Sequence, residues 1–261
     1  MSMRFQGNVA LVTGAATGIG IVAAQFFARE GAKVVVATGS NIMGGQETVD
    51  TIQAEGGEAT FMKCDVRVEA DVEALVAGCV STYGRLDYAF NNAGVGPDGV
   101  RVPVVNIADT PAEIWNKTID TNLTGVFFCM KYELRQMIAQ GTGGAIVSTS
   151  SIGALSPLKG FSAYAASKAG LNALTKTAAL EGAEHRIRVN AIMPGPTEQT
   201  LLFEYLTSAD PDAGRHMAEG IPLGRVATPE DMARTVMWLC SDEACYITGH
   251  AVPVDGGMTC A

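Results

Sequence analysis

The sequence has no unbroken apolar run approaching 18 residues, so no segment of it reads as a transmembrane helix. Its start, MSMRFQGNVALVTG, lacks the apolar stretch and small-residue cleavage site of a secretory signal. Charge is sparse at 17%, and the 18 Lys and Arg are outnumbered by 27 Asp and Glu, a net charge of −9. A chain this acidic is ill suited to nucleic-acid phosphates or anionic lipid, so neither nucleic acid nor membrane is expected as a partner. Histidine occurs three times, at 185, 216 and 250, without the spacing of a metal site or a nucleophilic triad. No metal is expected. Asp98, Asp109 and Asp120 form no identifiable carboxylate pair, which argues against a glycosidase. The six cysteines form no CxxC pair and read as reduced, mostly buried thiols of a cytoplasmic protein.

What is abundant is hydrophobic material, 48% of 261 residues, enough to bury a sizeable core. Short β-branched runs alternate with longer segments of helical periodicity. The runs are Val9–Val12, Val34–Ala37, Ala59–Met62, Leu86–Phe90, Ala145–Val147, Arg188–Ile192 and Ala251–Val254. Near-continuous apolar strands predict burial on both faces, hence a parallel sheet with helices above and below. Helices are expected over Ile21–Arg29, Ala70–Thr82 and Leu171–Glu181. Thr110 and Thr228, each followed by proline and an acidic first turn, are expected helix caps. The pattern predicts an α/β chain, residues 1–261 forming one doubly wound Rossmann-type domain of about seven parallel strands. The irregular stretches Gly94–Ile107 and Gly195–Pro222 both follow strands, at the edge where such sheets bind ligands.

Val9–Thr13 leads into Gly14-Ala15-Ala16-Thr17-Gly18-Ile19-Gly20, a strand, a turn and a helix start. Glycines there let backbone N–H groups approach a pyrophosphate at the positive end of a helix. The next strand ends at Thr38 with neither the acid that would hold the ribose hydroxyls of NAD nor a base for the phosphate of NADP. The hydroxyls of Thr17, Thr38 and Ser40 and the Asn41 amide carry no repulsion against a 2′-phosphate, which tips the expectation toward NADP(H) over NAD(H). Lys33 should lie at the far end of that strand.

Tyr164 and Lys168 stand at i and i+4, sharing one helix face. Poising a phenol near neutrality takes a shift of about three pKa units, roughly 4 kcal/mol. An ammonium about 4 Å away at an effective dielectric of about 20 supplies roughly that much. The same spacing also occurs on ordinary amphipathic helices.

Further motifs accompany the dyad: Ser151, 13 residues before Tyr164; Asn91-Asn92-Ala93-Gly94 after the fourth strand; Asn122 in Asp120–Gly125; Arg188-Val189-Asn190; Pro194-Gly195; and Asp255-Gly256-Gly257. Together they resemble the short-chain dehydrogenase/reductase family, in its compact single-domain branch, from Gly7 to Gly257. The resemblance implies that Tyr164 exchanges a proton with the substrate oxygen and Ser151 hydrogen-bonds that oxygen. Lys168 would lower the tyrosine pKa and bind the nicotinamide ribose, and Asn122 would anchor a water linked to Lys168. It places Gly14, Gly18, Ile19 and Gly20 on the pyrophosphate, Asp65 and Val66 on the adenine, and Asn91, Ala93 and Gly94 beside the adenosine ribose. The segment Pro194, Gly195, Pro196 and Thr197 would face the nicotinamide carboxamide. The family's threonine five positions beyond that proline is replaced here by Gln199, leaving Thr197 or Thr200 for its role.

The expected activity is an NAD(P)(H)-dependent alcohol dehydrogenase or ketoreductase acting on a small, uncharged, fairly hydrophobic secondary alcohol or ketone. The alternative is a non-catalytic dinucleotide-binding sensor of the same fold. Met193, Leu201, Leu202, Phe203, Tyr205 and Leu206 read equally as a substrate lid, at about 195–222, or as plain core. The resemblance also implies a homotetramer or homodimer, for which Phe127, Phe128, Leu171 and Leu174 could provide an apolar outer face, or could equally be internal core.

Overall fold

The computed structural model describes residues 3–97, 102–208, 210 and 212–260. Seven strands, β1 (Val9–Thr13), β2 (Lys33–Thr38), β3 (Glu58–Lys63), β4 (Tyr88–Asn91), β5 (Gly144–Thr149), β6 (Ile187–Pro194) and β7 (Ala251–Val254), form one sheet. Its order is β3-β2-β1-β4-β5-β6-β7 and every pairing is parallel. Around it lie α1 (Gly18–Arg29), α2 (Ile42–Ala54), α3 (Glu69–Tyr83), α4 (Ala112–Ile119), α5 (Gly125–Gln140), α6 (Ser162–Gly182), α7 (Leu201–Thr207), α8 (Ala213–Glu219) and α9 (Pro229–Cys240). The chain is thus the predicted doubly wound α/β sheet.

Strand side chains alternate between two cores. Val12, Val34, Val36, Phe90 and Val147 pack with α1, α2 and α9; Leu11, Val35, Ala89, Ile146 and Val189 pack with α3, α5 and α6. Burial on both faces is what made these strands read as continuous apolar runs. The order reverses at β1, which pairs with both β2 and β4. That switch point opens a crevice at the carboxyl ends of the strands, lined by the residues after Thr13, Thr38, Asn91, Thr149 and Pro194.

Two local expectations change. Strand β4 begins at Tyr88 rather than Leu86, because the Leu86 N–H goes to the Gln140 side chain at 2.9 Å and Asp87 is held by Arg85. Thr110 does not cap α4: its hydroxyl donates to the Asn106 carbonyl at 2.9 Å, and Pro111 occupies the cap position. Helix α6 opens at Ser162 and carries the whole Tyr164–Lys168 segment, as the shared helix face of that pair required. The Thr228 cap stands, with Asp231 completing a reciprocal capping box.

Asp98 lies outside the described residues. The six thiols are free, four of them buried. Among the described residues there is no cluster of metal-ligating side chains, and no helix is long and apolar enough to cross a membrane. Leu171 is core and Leu174 packs on it, so they do not form an outer face; Phe127 is 44% exposed.

Candidate active site

The glycine-rich turn is sterically obligatory. Gly14 has φ +65°, and a Cβ on it would stand 2.8 Å from the backbone of Ala93. A Cβ on Gly20 would stand 2.2 Å from the Gly14 carbonyl oxygen. Thr17 takes the cap position of α1 but makes no side-chain capping bond and is exposed. The positive end of a 12-residue helix therefore faces the crevice with its first N–H groups uncapped, beside Gly18 and Ile19. This is a cradle into which a pyrophosphate fits.

At the far end of the crevice, Thr38 and Ser40 close β2. The expected amide donor is committed elsewhere: Asn41 Nδ2 donates to the Ala16 carbonyl and its Oδ1 caps Gly44. Lys33 lies at the opposite end of the strand, paired with Glu58 at 3.3 Å. A different cation is present. Parallel register sets Lys63 of β3 across from Thr38 on the same sheet face, and Lys63 is exposed with no ion-pair partner among the described residues. Next to it, the Asp65 carboxylate is gripped by Arg67 at 2.6 and 2.9 Å, which holds its pKa below the usual carboxylate range. Val66 is buried behind Asp65.

The turn after β4 is pinned from several sides. The Thr13 hydroxyl accepts from the N–H groups of Asn92 and Ala93 at 3.1 and 3.2 Å. Asn92 Nδ2 donates to the Gly14 carbonyl, and Asn92 Oδ1 accepts from Thr149. Asn91 turns its side chain down into the protein, where Nδ2 donates to Glu133 Oε2 at 2.9 Å. Gly94 is exposed at the crevice, against Asn122 and Lys168.

Asn122 lies in a π-helical turn, Asp120–Thr124, between α4 and α5. It is fully buried, and its amide bonds Val95 twice: Oδ1 accepts from Val95 N–H and Nδ2 donates to Val95 C=O, both at 2.8 Å. Its Nδ2 also reaches Ser167 Oγ at 3.3 Å. The inserted residue of the π turn aims this side chain at the loop after β4 rather than along the helix.

Ser151 follows β5 and Tyr164 projects from the first turn of α6; the two side chains lie close together, a Cβ on Gly153 standing 3.3 Å from Ser151 Oγ and 3.5 Å from the Tyr164 ring. Ser150 points away and donates to the Lys168 carbonyl at 3.2 Å. The Lys168 ammonium donates to the Thr149 carbonyl at 2.6 Å and lies 5.7 Å from the Tyr164 ring centre. Burial pushes Lys168 down to about 8. Burial also raises Tyr164 above its ordinary value, partly offset by Ser151. The lowering by lysine expected for the phenol is outweighed by desolvation, with the ammonium directed at the Thr149 carbonyl.

On the other flank, the Thr197 hydroxyl donates to the Gly195 carbonyl at 2.9 Å, and Thr200 caps α7. Gln199, between them, has φ +56° and sets its carbonyl beside Gly18. Met193 is buried in β6 and belongs to the core, whereas Leu202 of α7 lies against Gly96 at the rim of the crevice.

A sequence-family profile described as enoyl-(acyl carrier protein) reductase matches residues 14–259. The chain belongs to the short-chain dehydrogenase/reductase family. Among similar members, a cyclohexanol dehydrogenase from Acinetobacter is 40% identical over 259 residues, covering 99% of this chain and 98% of its own. The 3beta-hydroxysteroid dehydrogenase 1 of Eggerthella lenta is 39% identical, with 97% and 94% covered. The crystal structure of a short-chain type dehydrogenase/reductase from Mycobacterium marinum superposes with a TM-score of 0.90 at 35% identity, covering 100% of this chain and 98% of the other. Membership makes the protein a dehydrogenase/reductase of a family that uses NAD(P).

Two residues escaped the sequence reading. Lys63 was legible only as the residue after an apolar run, since strand register has no local signal. Glu133 had one: it falls on the helical stripe Val126, Met130, Glu133, Met137, whose other members are apolar and buried.

Proposed function

We propose that the protein interconverts a hydrophobic secondary alcohol and its ketone with NAD(P)(H), through Ser151, Tyr164 and Lys168. The observation that carries this reading is the juxtaposition of Ser151 and the Tyr164 ring, with Lys168 5.7 Å from that ring's centre, at the mouth of the crevice beside the glycine cradle.

A bound nicotinamide coenzyme supplies or accepts the hydride. Gly14, Gly18, Ile19 and Gly20, with Thr17 beside them, would hold its pyrophosphate, and Asp65, Val66, Ala93, Gly94 and the main chain of Asn91, whose side chain is turned onto Glu133, would line its adenosine half. Pro194, Gly195 and Thr197 flank the nicotinamide. Ser151 donates a hydrogen bond to the substrate oxygen and fixes it at the phenol. In reduction, Tyr164 Oη gives its proton to that oxygen as negative charge builds there; in oxidation it takes the proton back. Lys168, which donates to the Thr149 carbonyl, would bind the ribose of a bound coenzyme and place a positive charge near the phenol. Asn122 holds the Val95 main chain beside Lys168 and anchors a water there.

The substrate class follows from the rim. Leu155 and Leu158, just beyond Ser151, are 57% and 59% exposed, and Leu201 of the 195–222 lid is 41% exposed. These apolar surfaces favour an uncharged ring or aryl substrate. The cyclohexanol specificity in the name of the Acinetobacter relative supports a cyclic one. For the coenzyme, Lys63 beside Thr38 and Ser40, with no acid at position 38, favours NADP(H). By family resemblance the working form is a homotetramer or homodimer in the cytoplasm.

The test is the initial rate of absorbance loss at the reduced-nicotinamide band, with NADPH and NADH in parallel, over cyclic, aryl and simple ketones. Turnover of a cyclic ketone, faster with NADPH, is expected. Coenzyme binding without turnover of any ketone would put the sensor reading ahead.

A further inference from the structure

The Asp255-Gly256-Gly257 turn after β7 has no part in the proposed chemistry, yet both ends of the 195–222 segment rest on it. The segment leaves the sheet at Gly195, whose N–H donates to the Val254 carbonyl at 3.0 Å. A Cβ on Gly195 would stand 2.9 Å from Asp255 Cα, so the two backbones are in contact. The segment returns over the same turn. Leu223 N–H donates to the Gly256 carbonyl at 3.1 Å, and a Cβ on Gly256 would stand 2.5 Å from the Ile221 side chain. Exit and return are also tied to each other: Ala227 N–H donates to the Pro196 carbonyl at 3.0 Å, and the Ala227 carbonyl accepts from Glu198 N–H at 2.9 Å. The Ala227 rungs make one unit of the two ends, and the turn after β7 fastens that unit to the sheet.

One side chain shapes the turn. Asp255 is buried, and its carboxylate accepts from Gly257 N–H at 3.0 Å and from the Thr259 N–H and hydroxyl at 2.9 and 2.7 Å. Gly256 and Gly257 follow at φ +64° and +90°, a path open to glycine that needs an outside hold to be the only one taken. Burial opposes the charge on Asp255, but the Thr259 and Gly257 bonds outweigh it and keep the carboxyl below its usual range. Three donors converge on two oxygens, an arrangement suited to an acceptor-only carboxylate.

We propose that Asp255 is a positioning residue for the 195–222 segment: its carboxylate fixes the turn that fastens both ends of the segment to the sheet, and so sets the segment over the crevice. The segment carries Thr197 beside the expected nicotinamide, the Gln199 carbonyl beside Gly18, and Leu202 against Gly96 at the rim. The effect on substrate rests on the reading of the crevice as a site of ketone reduction; the anchoring does not.

Hydrogen exchange by mass spectrometry on the coenzyme-free protein reads the anchor. Steady-state reduction of cyclohexanone, with NADPH and with NADH, reads its consequence. Asp255→Asn keeps the shape, but whichever way its amide faces, one N–H of the turn meets an NH2 group instead of an acceptor. Thr259→Val removes the hydroxyl donor alone, and Thr259→Ser keeps it. In Asp255→Asn and Thr259→Val, segments 195–198 and 221–224 should exchange about tenfold faster or more, the factor carried by one lost hydrogen bond to a charged group. Both ends should accelerate together, with α9 unchanged and Thr259→Ser like wild type. KM for cyclohexanone should rise about threefold or more while kcat changes by less than about twofold, since Ser151 and Tyr164 lie on other elements. Acceleration at one end only, or at neither, would overturn the shared anchor. Equal acceleration throughout α9 would make Asp255 a general stabiliser and overturn it too. Faster exchange at both ends with unchanged KM would remove the positioning role. A wild type that turns over no ketone would count against the ketone-reduction reading instead, and the exchange comparison would still decide whether Asp255 fastens both ends. If Asp255→Asn does not fold, Thr259→Val against Thr259→Ser carries the test.

Discussion

Asn122 and Val95 are joined like two residues of a β-ladder, although one is a side chain: the amide donates to and accepts from the Val95 main chain, both at 2.8 Å. Asn122, which the family resemblance gave only as the anchor of a water, is therefore also a buried clamp on the loop that borders the crevice. The bond pair also leaves Asn122 Oδ1 3.3 Å from where a Cβ on Gly94 would stand, so a side chain there would require the clamp to give by a few tenths of an ångström.

Replacing Asn122 with Leu strands two main-chain groups. Each buried, unpaired polar group costs about 1–3 kcal/mol. Asn122→Leu should lower stability in urea unfolding by roughly 2–4 kcal/mol, and a loss below about 0.5 kcal/mol would contradict the clamp.

Tyr164→Phe removes the proton donor and leaves the ring. Turnover should fall by about 10²–10⁴, with coenzyme affinity by calorimetry little changed. Ser151→Ala should fall similarly, since Ser150 faces the Lys168 carbonyl and cannot substitute for it. A Tyr164→Phe variant that keeps most activity would remove the role given to the phenol.

Burial holds Tyr164 protonated at neutral pH. Reduction needs the phenol and oxidation the phenolate. Alcohol oxidation, measured with chemistry rate-limiting, should therefore climb with pH up to the tyrosine's apparent pKa, and ketone reduction should decline beyond it. In Lys168→Met the oxidation limb should move to higher pH, because the charge that stabilises the phenolate is gone. A flat profile from about pH 6 to 10 would count against tyrosine as the acid/base.

Lys63→Met tests the coenzyme reading. Loss of one charge-assisted phosphate contact, about 1.5–3 kcal/mol, should cut kcat/KM for NADPH by roughly 10-fold or more and spare NADH. Equal effects on both coenzymes would separate Lys63 from the 2′-phosphate.

The strands, the glycine turn and the capping box at Thr228 were legible in the sequence because their causes are local. Two-sided burial writes continuous apolar runs, a crowded turn demands glycine, and a helix N-terminus selects its cap by hydrogen bonds within four residues. Tyr164 and Lys168 were legible for the same reason, since one helix turn sets their spacing. The family motifs extended that reading to Ser151 and Asn122 without saying what either side chain touches.

Contacts between elements distant in the chain were decided only by tertiary structure. Register set Lys63 across from Thr38, a cation 25 residues away in sequence at the end of a different strand. Helix packing set Glu133 under Asn91, and burial there, rather than any neighbour in sequence, raises its carboxyl well above the ordinary range. Thr110 shows the converse: a sound local cap signal lost to the Asn106 carbonyl, which the fold of the preceding loop supplied. The amino-acid sequence by itself determined the elements and the chemical groups available at the crevice. The tertiary structure decided which of those groups are desolvated, paired or free, because dielectric environment and hydrogen-bond partners are properties of the packed interior and not of any one segment.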